Sequence, residues 1–169
     1  MKELGIIRKI DELGRIVIPK EMRNSLNIKT GDDIEIKVLE NQICLKKHSV
    51  LYDKVDLLNK YINNLKEFLE GKIYITDKER VITNGDLYNL QFNQKISNIL
   101  NDRTNYLSQA EETMEFERIS QKGYYYILPI IKNSDNYGLI IIFNEKEIND
   151  KSIMIGKVLQ KLIENDDML

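Results

Sequence analysis

Between residues 4 and 47 apolar and polar positions alternate over short runs broken by turn-forming residues, which predicts strands rather than helices. Gly5 to Ile10 is the first predicted strand and Arg15 to Ile18 the second, with Asp11-Glu12-Leu13-Gly14 as the turn between them. Pro19 ends the second strand and opens a short helix, Lys20 to Leu26, because proline lacks the N–H a ladder needs and suits the first helical turn. After a turn at residues 30–33, Ile34, Ile36 and Val38 alternate with Glu35 and Lys37. Glu40-Asn41 then makes a two-residue hairpin turn into Gln42 to Lys47.

At residue 49 the period changes. Leu51, Val55, Leu58, Ile62, Leu65 and Leu69 recur at spacings of four and three, widened by Leu57, Tyr61 and Phe68. This is a helical seam over residues 49–70, capped by Ser49 and ended by Gly71. Such a seam serves equally as a helix packed on its own domain or as an oligomerisation helix, and the two are compatible. Beyond it, strands are predicted at Lys72 to Thr76, Arg80 to Thr83, Phe116 to Ser120, Tyr124 to Ile131 and Tyr137 to Phe143. Turns fall at Gln121-Lys122-Gly123 and at Asn133 to Asn136, and helices at Gln94 to Asn105 and Asn149 to Asn165. Residues 139–143 are apolar on both faces, as a central strand covered on two sides must be. The fold class read from this order is α+β, with three segments: 1–48, 49–71 and 72–169.

The first segment is too small to bury a core of its own, and it has neither a disulfide nor a metal set. Two copies sharing one β core is the remaining route. Charge adds a second hint. The chain carries a formal net charge of -2, yet residues 1–48 hold ten Lys/Arg against eight Asp/Glu. Arg8, Lys9, Arg15, Lys20 and Arg23 stand among β-branched residues, and a two-fold dimer would present each of them twice. Arginine and lysine bind phosphate, and the arginine fork matches guanine in the major groove.

Other chemistries find little support. His48 is the single histidine and Cys44 the single cysteine, so no metal cluster of familiar spacing and no disulfide framework is expected, in keeping with a reducing cytoplasm. Neither a phosphate loop nor a dinucleotide fingerprint is present. Glu111, Glu112, Glu115 and Glu117 read as a solvated approach to a strand. No enzyme activity, metal or cofactor is expected. No apolar run reaches the roughly 20 residues of a membrane helix, and the N-terminus lacks the features of a secretory signal, so no membrane partner is expected.

Residues 5–47 resemble the DNA-binding domain of the AbrB/SpoVT family of bacterial transition-state regulators. The pattern GIxRxxDxLGRxVIPxExRxxL is matched at Gly5, Ile6, Arg8, Asp11, Leu13, Gly14, Arg15, Val17, Ile18, Pro19, Glu21, Arg23 and Leu26. Lys20, the seam helix and the later element order resemble the SpoVT branch of sporulation regulators. The resemblance implies a swapped-hairpin β-barrel dimer, followed by a helix and a C-terminal GAF-like α/β sandwich that joins dimers into a tetramer. It implies double-stranded DNA as partner, contacted by Arg8, Lys9, Arg15, Lys20, Arg23 and Asn24. It also implies a cytoplasmic, nucleoid-associated regulator of late spore-development genes. Relatives commonly carry arginine where this chain has Asn24, which removes one cation per chain. A small-molecule ligand of the GAF-like domain, with Tyr124, Tyr125 and Tyr126 near it, is a further expectation, although an aromatic run on a strand more often packs in the core. An antitoxin, which shares the N-terminal fold and neutralises a toxin, and a small-molecule sensor module are the alternatives.

Overall fold

The computed structural model describes residues 5–26 and 28–166, and the chain divides into two compact units, Met1–His48 and Ser49–Leu169. In the first unit a short helix α1 (Lys20–Ser25) precedes a two-stranded antiparallel hairpin, β1 (Ile34–Leu39) and β2 (Gln42–Lys47). Pro19 stands at the N-cap of α1, one position earlier than expected, and its carbonyl accepts the first helical hydrogen bond, from Arg23 N at 2.9 Å. The hairpin turns at Glu40, whose φ of 53° is the left-handed geometry a tight turn requires.

The two strands expected at 5–10 and 15–18 do not form a ladder. The loop between them closes, through Asp11 N to the Arg15 carbonyl at 3.0 Å and Gly14 N to the Asp11 carbonyl at 2.9 Å. Among the described residues the flanking segments pair with no strand edge, so these residues of a single copy do not form the expected barrel. Burial agrees. Among the described residues of this unit only Pro19 is buried. Ile7 is 94% exposed, Val17 76% and Val38 75%, with Ile10, Leu13, Ile16, Ile36 and Ile43 also open.

The second unit is built on an antiparallel sheet. β3 (Lys72–Thr76), β7 (Asp135–Asn144), β6 (Ile119–Lys132) and β4 (Tyr106–Leu107) lie in that order, and β5 (Glu112–Phe116) also pairs with β6. Helices α2 (Val50–Asp53), α3 (Val55–Leu65), α4 (Gln94–Asp102) and α5 (Asp150–Glu164) complete it. Period-two alternation splits the sheet into two cores. Ile73, Ile75, Tyr126, Leu128, Ile140 and Ile142 pack with Leu51, Leu58 and Ile62 of α2 and α3 and with Leu159 and Ile163 of α5. Tyr74, Tyr125, Ile127, Leu139, Ile141 and Phe143 pack with Ile96, Ile99 and Leu100 of α4 and with Val81, Leu87 and Leu90. β7 therefore lies between two strands and under two apolar layers, which is why it is apolar at every position from Leu139 to Phe143. Gly156 lets α5 approach: a Cβ there would meet Ile142 Cδ1 at 2.9 Å.

Several boundaries differ from the sequence reading, each for a local reason. Arg80–Thr83 makes isolated bridges, Thr76 to Val81 and Arg80 to Gln91, instead of a strand. Asp77 Oδ1 takes the N–H groups of Glu79 and Arg80 at 2.8 and 2.9 Å, and the Thr83 hydroxyl takes Ile75 N at 2.9 Å, so side chains replace the ladder. Gln121-Lys122-Gly123 is not a turn but the interior of β6. Gly123 is there because β7 comes close: a Cβ would stand 2.5 Å from Asn144 O and from Phe143 Cε2. The acidic residues from Glu112 onward form β5, turning at Glu117 with φ of 44°. The seam helix is interrupted at Lys54 and ends in a 3-10 turn, Lys66–Phe68. Helix α4 stops at Asp102, with Arg103 left-handed after it.

Candidate nucleic-acid interface

The cations singled out in the sequence fall on two pieces of the first unit, the loop around residues 8–15 and the helix α1. Arg8, Lys9, Lys20 and Asn24 are exposed. Lys37 and Lys47, on the hairpin, are paired with Glu35 at 2.8 Å and Asp32 at 3.0 Å. Arg8, Lys9 and Lys20 make no ion pair with the described residues, so their charge is available to an outside anion. Arg23 is half buried on α1, and its Nε is shielded from solvent without an acceptor.

Arg15 differs from the others. Asp11 organises the loop through three hydrogen bonds to its carboxylate. Oδ1 accepts from Leu13 N at 3.0 Å and from Arg15 N at 2.8 Å, while Oδ2 accepts from Arg15 Nε at 2.8 Å. The Arg15 N–H and then its guanidinium hold the Asp11 carboxyl below the usual carboxylate range. The side chain of Arg15 nevertheless remains 71% exposed. Asp11 as a partner of Arg15 is the element of this site that the sequence pattern did not show. The signal for it is an acid and a base four positions apart across a Gly-containing turn. The structure brings Arg15 and Asp11 together, and no hydrogen bond or ion pair joins them to Lys20, Arg23 or Asn24 among the described residues.

The seam residues pack to different depths in their own unit. Leu51, Leu58 and Ile62 are buried in the core of their own unit, and Leu65 and Leu69 pack against that core half buried. Val55 is half buried. Apolar surface is left open on α5, where Met154, Val158 and Leu162 repeat every four residues, and also at Phe68, Tyr88 and Leu107. With Tyr61 and Asn165 the three α5 residues line an open groove of about 580 Å³ bordered by Lys157 and Lys161.

Tyr125 and Tyr126 are buried on opposite faces of the sheet, one in each core, and Tyr124 is half buried. Burial raises the Tyr125 and Tyr74 hydroxyls well above the usual tyrosine range. Tyr125 packs on Phe143 with ring centres 5.2 Å apart. These rings fill the interior rather than wall a pocket. Cys44 is exposed on β2. No group of three or more His, Cys, Asp or Glu side chains that could hold a metal occurs among the described residues. No helix among them is long and apolar enough to cross a membrane.

Comparison with known proteins places both units. Residues 7–51 match the family described as "Antidote-toxin recognition MazE, bacterial antitoxin". Residues 55–166 match the family described as "Stage V sporulation protein T C-terminal, transcription factor". Stage V sporulation protein T of Bacillus subtilis (strain 168) is 31% identical over 172 residues, which covers 97% of this chain and 93% of that protein. Transition state regulatory protein AbrB of the same organism is 54% identical over 48 residues, covering 28% of this chain and 50% of that protein. A solution structure of the N-domain of the transcription factor abrB aligns at 53% identity with a TM-score of 0.27, covering 29% of this chain and 94% of that one. An AbrB-type N-terminal segment joined to a matching C-terminal unit, with similarity running nearly end to end, makes this chain a member of the stage V sporulation protein T family of transcription factors.

Proposed function

We propose that the chain is a homo-oligomeric DNA-binding regulator of sporulation-stage transcription, in which two N-terminal units interleave as a swapped-hairpin barrel and present Arg8, Lys9, Arg15, Lys20, Arg23 and Asn24 to double-stranded DNA. The observation that carries this reading is the state of the first unit. Among its described residues alternating isoleucines and valines lie open and only Pro19 is buried, which leaves a second copy to cover them. The unit also keeps Arg8, Lys9 and Lys20 out of ion pairs with the described residues. Covering the apolar face with a second copy duplicates the cations about a two-fold axis, as the half-sites of an operator require. A tetramer follows if two such dimers meet through the α5 stripe of Met154, Val158 and Leu162. That stripe offers more open apolar surface than the buried seam residues do. A GAF-like ligand-sensing role for the second unit would have to use the open α5 groove or a rearrangement of the sheet, since the tyrosine run is packed inside.

Fluorescence anisotropy of the full chain on a labelled duplex tests the central point, with the duplex selected in vitro from a random pool by the wild-type protein. Binding is expected to weaken steeply with salt. Arg15→Ala and Arg23→Ala should each weaken binding, and Arg23→Ala should also flatten the slope by about 0.9 for every phosphate left unneutralised. A flat response at low salt, unchanged by either substitution, would remove the reading. The match of residues 7–51 to an antitoxin family favours a second reading, in which the first unit takes part in neutralising a toxin. Co-purification of a stoichiometric small toxin from the native organism would favour it over the first.

A further inference from the structure

An acid beside the DNA-facing cations is, on charge alone, a liability. Asp11 is ionised, exposed and within hydrogen-bond reach of one of the proposed DNA-binding residues. It repels the same phosphates that Arg8, Lys9 and Arg15 attract. Its geometry offers a reason for its presence. Oδ1 takes two loop N–H groups and so fixes the backbone from Leu13 to Arg15. Oδ2 takes only Nε of the Arg15 guanidinium, at 2.8 Å. An arginine held by Nε cannot swing freely about its last torsions, and its end-on edge, Nη1 and Nη2, makes no hydrogen bond to the described residues. That edge is the one that pairs with O6 and N7 of guanine. A phosphate contact gains little from such fixing, because phosphate accepts from many directions, whereas a base edge requires a defined plane.

We infer that Asp11 is a positioning residue for sequence readout: its carboxylate holds Arg15 by Nε so that the remaining two-nitrogen edge meets a guanine edge in the major groove. The inference rests on the DNA-binding reading above and goes beyond it by assigning Arg15 to base readout and Asp11 to specificity. The two effects of Asp11 have opposite signs, which makes them separable. Removing the negative charge strengthens binding to any DNA if repulsion dominates. It weakens binding to the selected site, and not to other DNA, if positioning dominates.

The test uses the full-length protein, the selected duplex and a scrambled duplex of equal length and composition. Asp11→Asn retains an acceptor for the loop N–H groups but loses the charge-assisted bond to Nε. It is expected to lower affinity for the selected duplex about tenfold, within the range a bidentate arginine–guanine pair contributes, and to leave affinity for the scrambled duplex equal or higher. Arg15→Lys keeps the charge and lacks Nε, so it should reproduce that loss, and Asp11→Asn added to it should cost nothing further. Matching melting curves of the variants exclude unfolding as the cause, and Asp11→Glu serves if Asp11→Asn does not fold. Tighter binding of Asp11→Asn to both duplexes would overturn the proposal. So would an equal loss on both duplexes, or an undiminished effect in the Arg15→Lys background. Failure of the wild-type protein to bind either duplex would instead remove the DNA-binding reading itself, and this inference with it.

Discussion

Arg15 and Asp11 show how much one pair of side chains decides. The carboxylate is exposed, so its attraction for the guanidinium is screened and adds little to stability; its effect is on geometry. Because hydrogen bonds from Arg15 depress the Asp11 pKa, the pairing is present above the ordinary carboxylate value and is lost only as pH falls through the depressed one. Selective DNA binding should therefore be insensitive to this group at any pH above about 4. An anisotropy titration repeated between neutral and mildly acidic pH checks this, since a drop well above that value would assign the loss elsewhere. The cations were legible in the sequence, because their type and their place among β-branched residues are visible in one dimension. The role of Asp11 was not, since an acid at a turn looks the same whether it caps the backbone alone or also holds a side chain across the loop. The half-buried state of Arg23 depends on neighbours that no local pattern names.

At the scale of elements, the apolar periodicity of the second unit survived, whereas the alternation at 5–10 and 15–18 gave no strands and one turn signal misled. The apolar run of β7 was readable as a central strand because burial on both faces leaves no polar position between Leu139 and Phe143. The glycine in Gln121-Lys122-Gly123 suggested a turn, whereas it answers a close approach of β7 that only the folded sheet creates. The seam of α2 and α3 was equally legible as a pattern and ambiguous as to partner, since a heptad-like spacing fits any apolar neighbour. Its deepest residues pack on the chain's own sheet. Leu58→Ala is accordingly expected to destabilise the second unit by about 2–5 kcal/mol, seen as a lower melting temperature with the oligomeric state unchanged. Gly123→Ala should also lower the melting temperature, by overpacking worth about 1–3 kcal/mol, because backbone and a ring stand in the way of a methyl group. If dimers meet through the α5 stripe as proposed, Val158→Glu with Leu162→Glu should do the reverse of Leu58→Ala, leaving the melting temperature near wild type while sedimentation shows dimers in place of tetramers.

For the whole molecule, the two units solve the problem of size differently. Ser49–Leu169 buries two cores on one sheet, as a segment of that length is able to do. The described residues of Met1–His48 leave their apolar side chains open and, on the proposed reading, depend on another copy. That dependence was the part of the architecture most plainly implied by length and composition, while the interleaving of strands came from resemblance to a family. It also ties DNA binding to assembly, since an interface made of two copies disappears when they separate. Native mass spectrometry of the full chain with a single selected duplex, over a range of protein concentrations, puts that tie to the test. Complexes with two or four chains per duplex are expected, and none with one chain. A stable complex of one chain with one duplex would show that DNA binding does not depend on a shared core.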